Sequence, residues 1–293
     1  MSRKVRTMKE IIEQHYENER ALYNEKDLAV IRCRFEGPMD GESPLKEGDN
    51  ILAKASYFDL RYPFWHDENL VVEDCTLTEK SRAAFWYDDG VKVTKSILHG
   101  IKAFRECRHV DLNGCDIVSP EFMWRDSDIR LQNCTLTSEY AFFEDQAIAI
   151  DHLTMNGKYS FQYVKGGTIA HSELHTKDAF WHSENLTVTD SLIDGEYLGW
   201  YSKNLHLVRC HIKGTQPLCY CEGLVLEDCT MENAYFAFEY SDVQATIKGG
   251  ILSVKNPKSG KIIADSIGEI ILRESKYPST CTILAQSKNG CSQ

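Results

Sequence analysis

The chain has 293 residues, of which 42% are hydrophobic, so it can bury a large core in one or two domains. Its 33 Lys and Arg residues are outnumbered by 44 Asp and Glu residues, and the formal charge of −11 disfavours non-specific binding to nucleic acid or anionic lipid. The start of the chain has no apolar run of signal-peptide length, and nowhere do about 18 apolar residues follow one another. We therefore expect a cytoplasmic protein that binds neither nucleic acid nor membrane.

The first predicted element is a short N-terminal helix. The segment Thr7 to Glu10 has the pattern of a capping box. The apolar residues around it fall at helical spacing on one face: Met8, Ile11, Ile12 and Tyr16. We expect residues 1–20 to form a capping helix that covers the first strand edge of the domain that follows.

A repeat of 19 residues begins soon after this segment. Within each repeat, apolar residues alternate with polar ones, as in Leu205-x-Leu207, which indicates strands rather than helices. Asn, Asp and Gly separate the apolar segments and are typical of turns. The period is exact along one column of small or apolar residues: Cys115, Cys134, Leu153, Ser172, Ser191, Cys210 and Cys229.

Three short strands and three turns in 19 residues predict a three-sided coil, and a fixed period of this length is typical of solenoids. We predict an all-β fold, a right-handed parallel β-helix of about thirteen rungs. It would occupy residues 21–275, and residues 276–293 would form an irregular C-terminal tail.

The eleven cysteines do not indicate a disulfide framework, because the chain shows no export signal and the number is odd. Most of them share one inward position of the repeat with Ser, which predicts buried free thiols selected for small size. No spacing of Cys and His indicates a metal site, and no motif indicates a cofactor, so we predict neither.

The third segment of each repeat carries two adjacent aromatic columns. The first consists mainly of Phe and contains no charge, whereas the second contains all five tryptophans together with Arg105 and Gln162. Adjacent strand residues point to opposite faces, and Arg105 and Gln162 would be costly to bury, so we predict Phe inward and Trp outward. The opposite assignment stays open, because the next column is polar and has the parity of the Phe column.

An outward Trp column flanked by Tyr and His is a surface on which sugar rings can stack, which predicts an oligosaccharide or polysaccharide ligand. Packing between coils is the alternative explanation of the same column. The candidate ligand-binding residues are Trp65, Trp86, Trp124, Trp181, Trp200, Tyr87, Tyr163, His182 and Tyr201.

Ionisable residues are most concentrated beside this column, on three successive repeats. A pair of carboxyl groups there could provide acid and base catalysis at a glycosidic bond, with an Arg orienting an acidic group of the substrate. A solvated network of ion pairs, which includes Glu106, is the alternative. The candidate catalytic residues are Glu144, Asp145, Asp126, Arg105 and Arg125.

The repeat pattern resembles the pectin-lyase-like right-handed β-helices. Four segments resemble a bacterial family of such proteins known only as a domain of unknown function: GESPL (Gly41 to Leu45), AFW (Ala179 to Trp181), GEYLGW (Gly195 to Trp200) and AFEYS (Ala237 to Ser241). The resemblance covers nearly the whole chain and implies the fold, but it transfers no catalytic residues.

Two functions therefore remain. One is a β-helix that binds or processes a saccharide along the aromatic column. The other is a non-catalytic scaffold that presents an acidic or aromatic face to a protein partner, which the net charge and the lack of a strong catalytic motif favour. The sequence does not decide whether the protein is an enzyme, nor its oligomeric state.

Overall fold

The computed structural model describes residues 8–37 and 42–285. All regular secondary structure in these residues is β-strand, and the strands of successive coils pair in parallel. The chain makes about fourteen turns with a repeat of about 19 residues, which confirms the predicted parallel β-helix. None of the described residues forms a helix that could span a membrane. The chain divides into two compact units, with the boundary between Glu139 and Tyr140.

Coils of the first unit begin with a strand that pairs with its counterparts in the neighbouring coils, and a shorter second strand follows a bend. The first strands are Lys9–Ile12, Lys26–Ile31, Asp49–Lys54, Glu68–Glu73, Asp89–Thr94 and Arg108–Asn113. The second strands are His15–Tyr16, Arg34–Glu36, Tyr57–Asp59, Thr76–Leu77, Ile97–His99 and Asp116–Val118. In the last coil of this unit, one long strand, Ser127–Ser138, spans the positions of the first and the second strand. Third strands lie at the aromatic segment: Phe64–Trp65, Phe85–Trp86, Phe104–Arg105 and Glu121–Trp124.

Parallel pairing also organises the second unit, where Ile150, Ile169, Val188 and Leu207 follow one another in register. After its first strand, the aromatic segments of this unit are turns. Its strands are Tyr140–Phe143, Gln146–Lys158, Lys165–Ala170, Glu173–Lys177, Glu184–Thr189, Leu192–Asp194, His206–Val208, His211–Lys213, Leu224–Glu232, Asp242–Lys255, Ser259–Ile271 and Thr282–Ala285.

Both predicted end segments differ from expectation. The predicted N-terminal helix is wrong for the described residues, because Lys9–Ile12 is a strand that pairs with Leu28–Ile31. Pairing with an existing parallel edge satisfies the backbone groups of this segment and outweighs its helical pattern. At the other end, Thr282–Ala285 within the predicted tail adds a further parallel strand, whereas residues 1–7 and 286–293 lie outside the described residues.

The column of small residues has a role beyond filling space. At the bend after the first strand, one backbone N–H points into the core, and a side chain of the next coil accepts its hydrogen bond. Cys75 N–H donates to Ser96 Oγ at 3.1 Å, and Ser172 N–H donates to Ser191 Oγ at 3.1 Å. Buried amide groups need such acceptors, so Ser is favoured in this column for its polarity as well as for its size. The ten cysteines within the described residues are free thiols, as predicted.

A second inward column, two residues after the Trp column, solves the same problem with aspartates. Asp88 Oδ1 accepts the N–H of Asp67 at 2.8 Å, and Asp126 Oδ1 accepts the N–H of Cys107 at 2.5 Å. All three aspartates are fully buried. Burial raises the pKa of Asp67 and Asp88 well above the usual range and that of Asp126 to about 8. The Asp126 side chain is therefore mainly a neutral carboxylic acid at pH 7.

The register of the first unit predicts opposite outcomes for neighbouring substitutions. Val93 lies in the core between Val72 and Leu112, and the adjacent Lys92 is exposed. Val93→Asp should lower the free energy of unfolding by about 3 kcal/mol or more, because it buries an unpartnered charge. Lys92→Asp should change it by less than about 0.5 kcal/mol. Urea unfolding followed by circular dichroism measures both, and equal midpoints would refute the register.

Asp126 should make stability depend on pH. Its pKa is about 8 in the folded chain, against about 3.9 for an unfolded Asp. The native state then binds more protons, so the free energy of unfolding falls as the pH rises through this interval. Asp126→Asn keeps the acceptor for Cys107 but does not titrate.

Relative to the wild type, Asp126→Asn should gain up to about 1.4 kcal/mol per pH unit between about pH 5 and about pH 7. The measurement is a series of urea unfolding curves over that range. Parallel pH profiles for the two proteins would show that Asp126 does not carry the raised pKa.

Candidate functional site: the aromatic corner

The aromatic corner is the bend that follows the third segment of each coil. In a typical coil Phe180 is buried, Trp181 and His182 are partly exposed, and Ser183 is buried. Both Phe180 and His182 have positive φ, 62° and 55°. This left-handed backbone turns the chain so that two successive residues point outward, which strand alternation alone does not allow. The bend explains why the polar column shares the parity of the Phe column.

The predicted inward position of the Phe column is confirmed. Its rings are buried and stack from coil to coil, with centroids 4.3 Å apart for Phe85 and Phe104 and 5.0 Å apart for Phe161 and Phe180. Such offset stacks add to the free energy of burying apolar area. The Phe column is therefore the core side of the aromatic corner.

The tryptophans are not the open platform that the sequence predicts, because all five are half-buried. Trp181 and Trp200 stack with centroids 5.4 Å apart. Their indole N–H groups donate to backbone carbonyls of Tyr197 and Gln216, at 2.6 and 2.8 Å. These hydrogen bonds hold each indole against the neighbouring loop. The tryptophans therefore pack against the protein and are only partly available at the surface.

Packing also engages the tryptophans of the first unit. Trp65 and Trp86 stack with centroids 5.3 Å apart, and the Lys46 ammonium lies 4.4 Å from the Trp65 ring centroid. The Arg105 guanidinium lies 4.2 Å from the ring centroid of Trp124. Cations already occupy these aromatic faces, so a sugar ring would have to displace them.

Exposed aromatic area lies instead one residue further along, in a column of the second unit that we call the tyrosine ladder. It consists of Tyr163, His182, Tyr201, Tyr220 and Tyr240. The first four rings are nearly parallel, with successive centroids 4.9, 5.0 and 4.8 Å apart and interplanar angles of 6, 7 and 14°. Tyr163 and Tyr201 are each 42% exposed.

The ladder presents the edges of its rings rather than their faces. A sugar ring between two aromatic rings would need about 7 Å, because stacked carbons approach to about 3.5 Å. The observed 5 Å spacing of His182 and Tyr201 leaves no such gap. The hydroxyl groups of Tyr163, Tyr201 and Tyr220 form no hydrogen bond with any described residue, so they are free to bind a partner.

In the coil that contains Phe238, the aromatic corner is shifted by one residue relative to the 19-residue period. The 19-residue period aligns Ala237 with the Phe column and Glu239 with the ladder, but the structure places Phe238 and Tyr240 there. Leu218 N–H donates to Leu198 and Phe238 N–H donates to Pro217, so the step between these coils is one residue longer. The prediction for this coil is corrected by one position, because the turn before Phe238 contains an extra residue.

Charged candidates for catalysis are dispersed by the fold. Arg105 forms an ion pair with Glu121, and burial lowers its pKa. Arg125 pairs with Glu106 at 3.8 Å on the surface. Asp126 lies inside the coil, where a surface substrate cannot reach it. The first unit therefore does not join these residues into one surface site.

Two further candidates, Glu144 and Asp145, belong to the second unit. Glu144 is exposed, and Asp145 is buried at the repeat position that Asp126 holds in the first unit. Tyr87, a candidate ligand-binding residue of the first unit, is exposed and meets His66 with ring centroids 5.0 Å apart. Tyr163, His182 and Tyr201 lie together in the tyrosine ladder.

Sequence analysis missed two features of the second unit. One is a cleft of about 360 Å³ where the ladder ends, lined by Tyr220, Cys221, Glu222, Tyr240, Lys258 and Tyr277. The other is a surface cluster of Asp151, His152 and His171. The 19-residue period would have revealed the histidines, since both stand in the turn column that holds Asp190. Nothing in the period places Tyr277 beside Tyr240.

Two solved structures are similar to this chain at low sequence identity. HetL, a pentapeptide repeat protein from the cyanobacterium Nostoc sp. strain PCC 7120, is 11% identical, with 81% of this chain and 91% of HetL covered and a TM-score of 0.34. The Streptococcus pneumoniae surface protein and adhesin PfbA is 9% identical, with 94% of this chain and 90% of PfbA covered and a TM-score of 0.43. No curated protein matches the sequence significantly.

A family model covers most of the chain, in agreement with the resemblance to an uncharacterised family, while the narrower likeness to pectin lyases stays a prediction. The matched residues are 9–284, and the chain therefore belongs to the family described as protein of unknown function (DUF3737).

Proposed function

We propose that the protein is a non-catalytic interaction protein that binds a second copy of its own chain through the tyrosine ladder. The observation that carries this proposal is the ladder itself, a row of stacked rings exposed at their edges on successive coils. Tyr offers rigid apolar area together with a hydroxyl, and it is one of the residues that dominate binding energy at protein interfaces.

The placement of the charged residues favours binding over catalysis. Acid and base catalysis needs two titratable groups that reach the same substrate atoms. Asp126 and Asp145 are enclosed in the core, and Arg105 is held by Glu121 and by the Trp124 ring. Among the predicted catalytic residues, these three are engaged by the fold itself.

A row of alternating charges runs beside the ladder, two residues after each of four ladder positions. We call it the charge rail; it consists of Lys165, Glu184, Lys203 and Glu222, which follow one another in backbone register. None of these side chains forms an ion pair with any described residue, and three of the four are exposed. The rail has no net charge, so it would select a partner by pattern rather than by overall charge.

The pattern of the rail fits a reversed copy of itself. We place a two-fold axis in the plane of contact, perpendicular to the ladder. This axis makes the ladders of the two copies antiparallel, and it brings the charge rail of one copy against the charge rail of the other. Lys165 then faces Glu222 of the second copy, and Glu184 faces Lys203 of the second copy. The aromatic edges would form the apolar centre of this contact and the rails its polar rim, which is the usual anatomy of an interface.

Sedimentation velocity should find the wild-type chain as a dimer at about 50 µM, a concentration that populates weak specific complexes. Tyr201→Ser removes a central ring and should weaken association about ten-fold or more. Glu184→Lys should also weaken it, because two lysines then face each other across the two-fold axis. Adding Lys203→Glu to Glu184→Lys should restore association, because opposite charges face each other again.

Glu173→Lys provides a matched control, since Glu173 is an exposed strand residue away from the ladder in the same unit. It should leave association unchanged. Circular dichroism checks that every variant stays folded. A monomeric wild type, or a double variant that associates no better than Glu184→Lys alone, would overturn the proposal.

A saccharide ligand is a second candidate, and the cleft at the end of the ladder favours it. Tyr240 and Tyr277 both line this cleft and meet nearly at right angles, 86°, with centroids 5.8 Å apart, so the two rings do not cover each other face to face. Glu222 and Lys258 line the same cleft and could hydrogen-bond to sugar hydroxyls. Face stacking, which the regular part of the ladder prevents, is available only at this end of the ladder among the described residues.

Saturation-transfer NMR with a panel of neutral and acidic oligosaccharides tests this candidate. Binding should fall about five-fold or more in Tyr277→Ala, as expected from loss of a stacking ring. Tyr235→Ala, an equally exposed Tyr that does not line the cleft, should bind like the wild type. Absence of any bound sugar, or equal binding by both variants, would dismiss the saccharide candidate.

A further inference from the structure

The bend between the first and second strands of the second unit carries two histidines on successive coils. His152 and His171 occupy equivalent positions with positive φ, 53° and 48°, and both side chains are exposed. Their rings stack with centroids 5.0 Å apart and an interplanar angle of 27°. The backbone of the solenoid thus holds two imidazoles side by side at the surface.

A carboxylate lies against both rings. Asp151 Oδ1 is 2.7 Å from His171 Nδ1, and Asp151 Oδ2 is 3.0 Å from His152 Nδ1. Ligand atoms of all three residues lie within 4.8 Å of one another. Hydrogen bonds from the two histidines lower the pKa of the Asp151 carboxyl, so this side chain is ionised at neutral pH.

We propose that Asp151, His152 and His171 form a surface site for a divalent transition metal of the zinc class. Two imidazole nitrogens and one carboxylate oxygen are ligands typical of zinc sites with an open position. Zinc binds such ligands at about 2.0 to 2.2 Å, which separates tetrahedral ligand atoms by about 3.3 Å. The observed 2.7 and 3.0 Å separations are shorter than this value by a few tenths of an ångström, and all the ligand atoms lie within 4.8 Å of one another.

Neighbouring charges limit the site to these three ligands. Asp190 stands in the same turn column on the next coil, but both of its carboxylate oxygens bind Arg209, at 2.7 Å each. The remaining metal positions would therefore be filled by water or by a ligand atom from outside the chain. Magnesium and calcium prefer oxygen ligands, so they should not compete at this site.

Isothermal titration of the full chain, first stripped of metal with a chelator, tests the proposal. At about pH 7.5 it should bind about one equivalent of Zn²⁺ with micromolar or tighter affinity. Mg²⁺ should not bind. His152→Ala and His171→Ala should each weaken Zn²⁺ binding at least ten-fold without changing the circular dichroism spectrum.

His211→Ala is the matched control, because His211 is a partly exposed His that contacts a carboxylate, Glu232 at 3.2 Å, without a second His. It should bind Zn²⁺ like the wild type. Failure of the wild type to bind Zn²⁺, or equal binding by the double variant His152→Ala, His171→Ala, would overturn the proposal. Loss of binding in His211→Ala would overturn it too, since the metal would then lie elsewhere.

Discussion

The fold depends on how the backbone is satisfied at each bend. Residues with positive φ turn the chain sharply, and at two kinds of bend a buried N–H group donates to a side chain of the next coil. A buried amide without an acceptor would cost about 1 to 3 kcal/mol, and the cost recurs in every coil. Ser96 and Asp88 show the two solutions, a hydroxyl and a buried carboxyl group from the next coil. Together with the parallel backbone pairing, these acceptors hold successive coils in register, and the coil spacing sets the spacing of the tyrosine ladder.

The sequence predicts those parts of the structure that depend on a fixed period. The parallel coil and the inward Phe column follow from alternation and from the 19-residue repeat. The N-terminal helix fails because the pairing of Lys9–Ile12 with an adjacent strand outweighs its helical pattern. The sequence predicts a catalytic role at the surface for Asp126, because charge alone does not reveal that this carboxyl accepts the hydrogen bond of an inward amide. The positive φ at His182 moves the exposed ladder one residue past the tryptophans.

The aromatic corner shows how the fold restricts binding chemistry. A coil spacing near 4.8 Å forces equivalent rings into contact, so a ladder of identical positions hides its faces and exposes its edges. A saccharide stacks on the face of an aromatic ring, whereas a protein partner can also contact the ring edges and the Tyr hydroxyl groups. Where the ladder ends, Tyr240 and Tyr277 leave the stack and faces become available again. The same spacing sets His152 beside His171 and makes the charge rail alternate at a constant interval.

The orientation of the proposed dimer is its most specific feature, and a zero-length cross-link tests it. Within one chain, Lys165 and Glu222 are three coils apart, about 14 Å, too far for a direct amide bond between their side chains after carbodiimide treatment. In the antiparallel dimer they face each other across the two-fold axis. Mass spectrometry of the cross-linked dimer should therefore recover a peptide pair that joins Lys165 to Glu222. Cross-links confined to neighbouring coils, such as Lys165 to Glu184, would contradict the account.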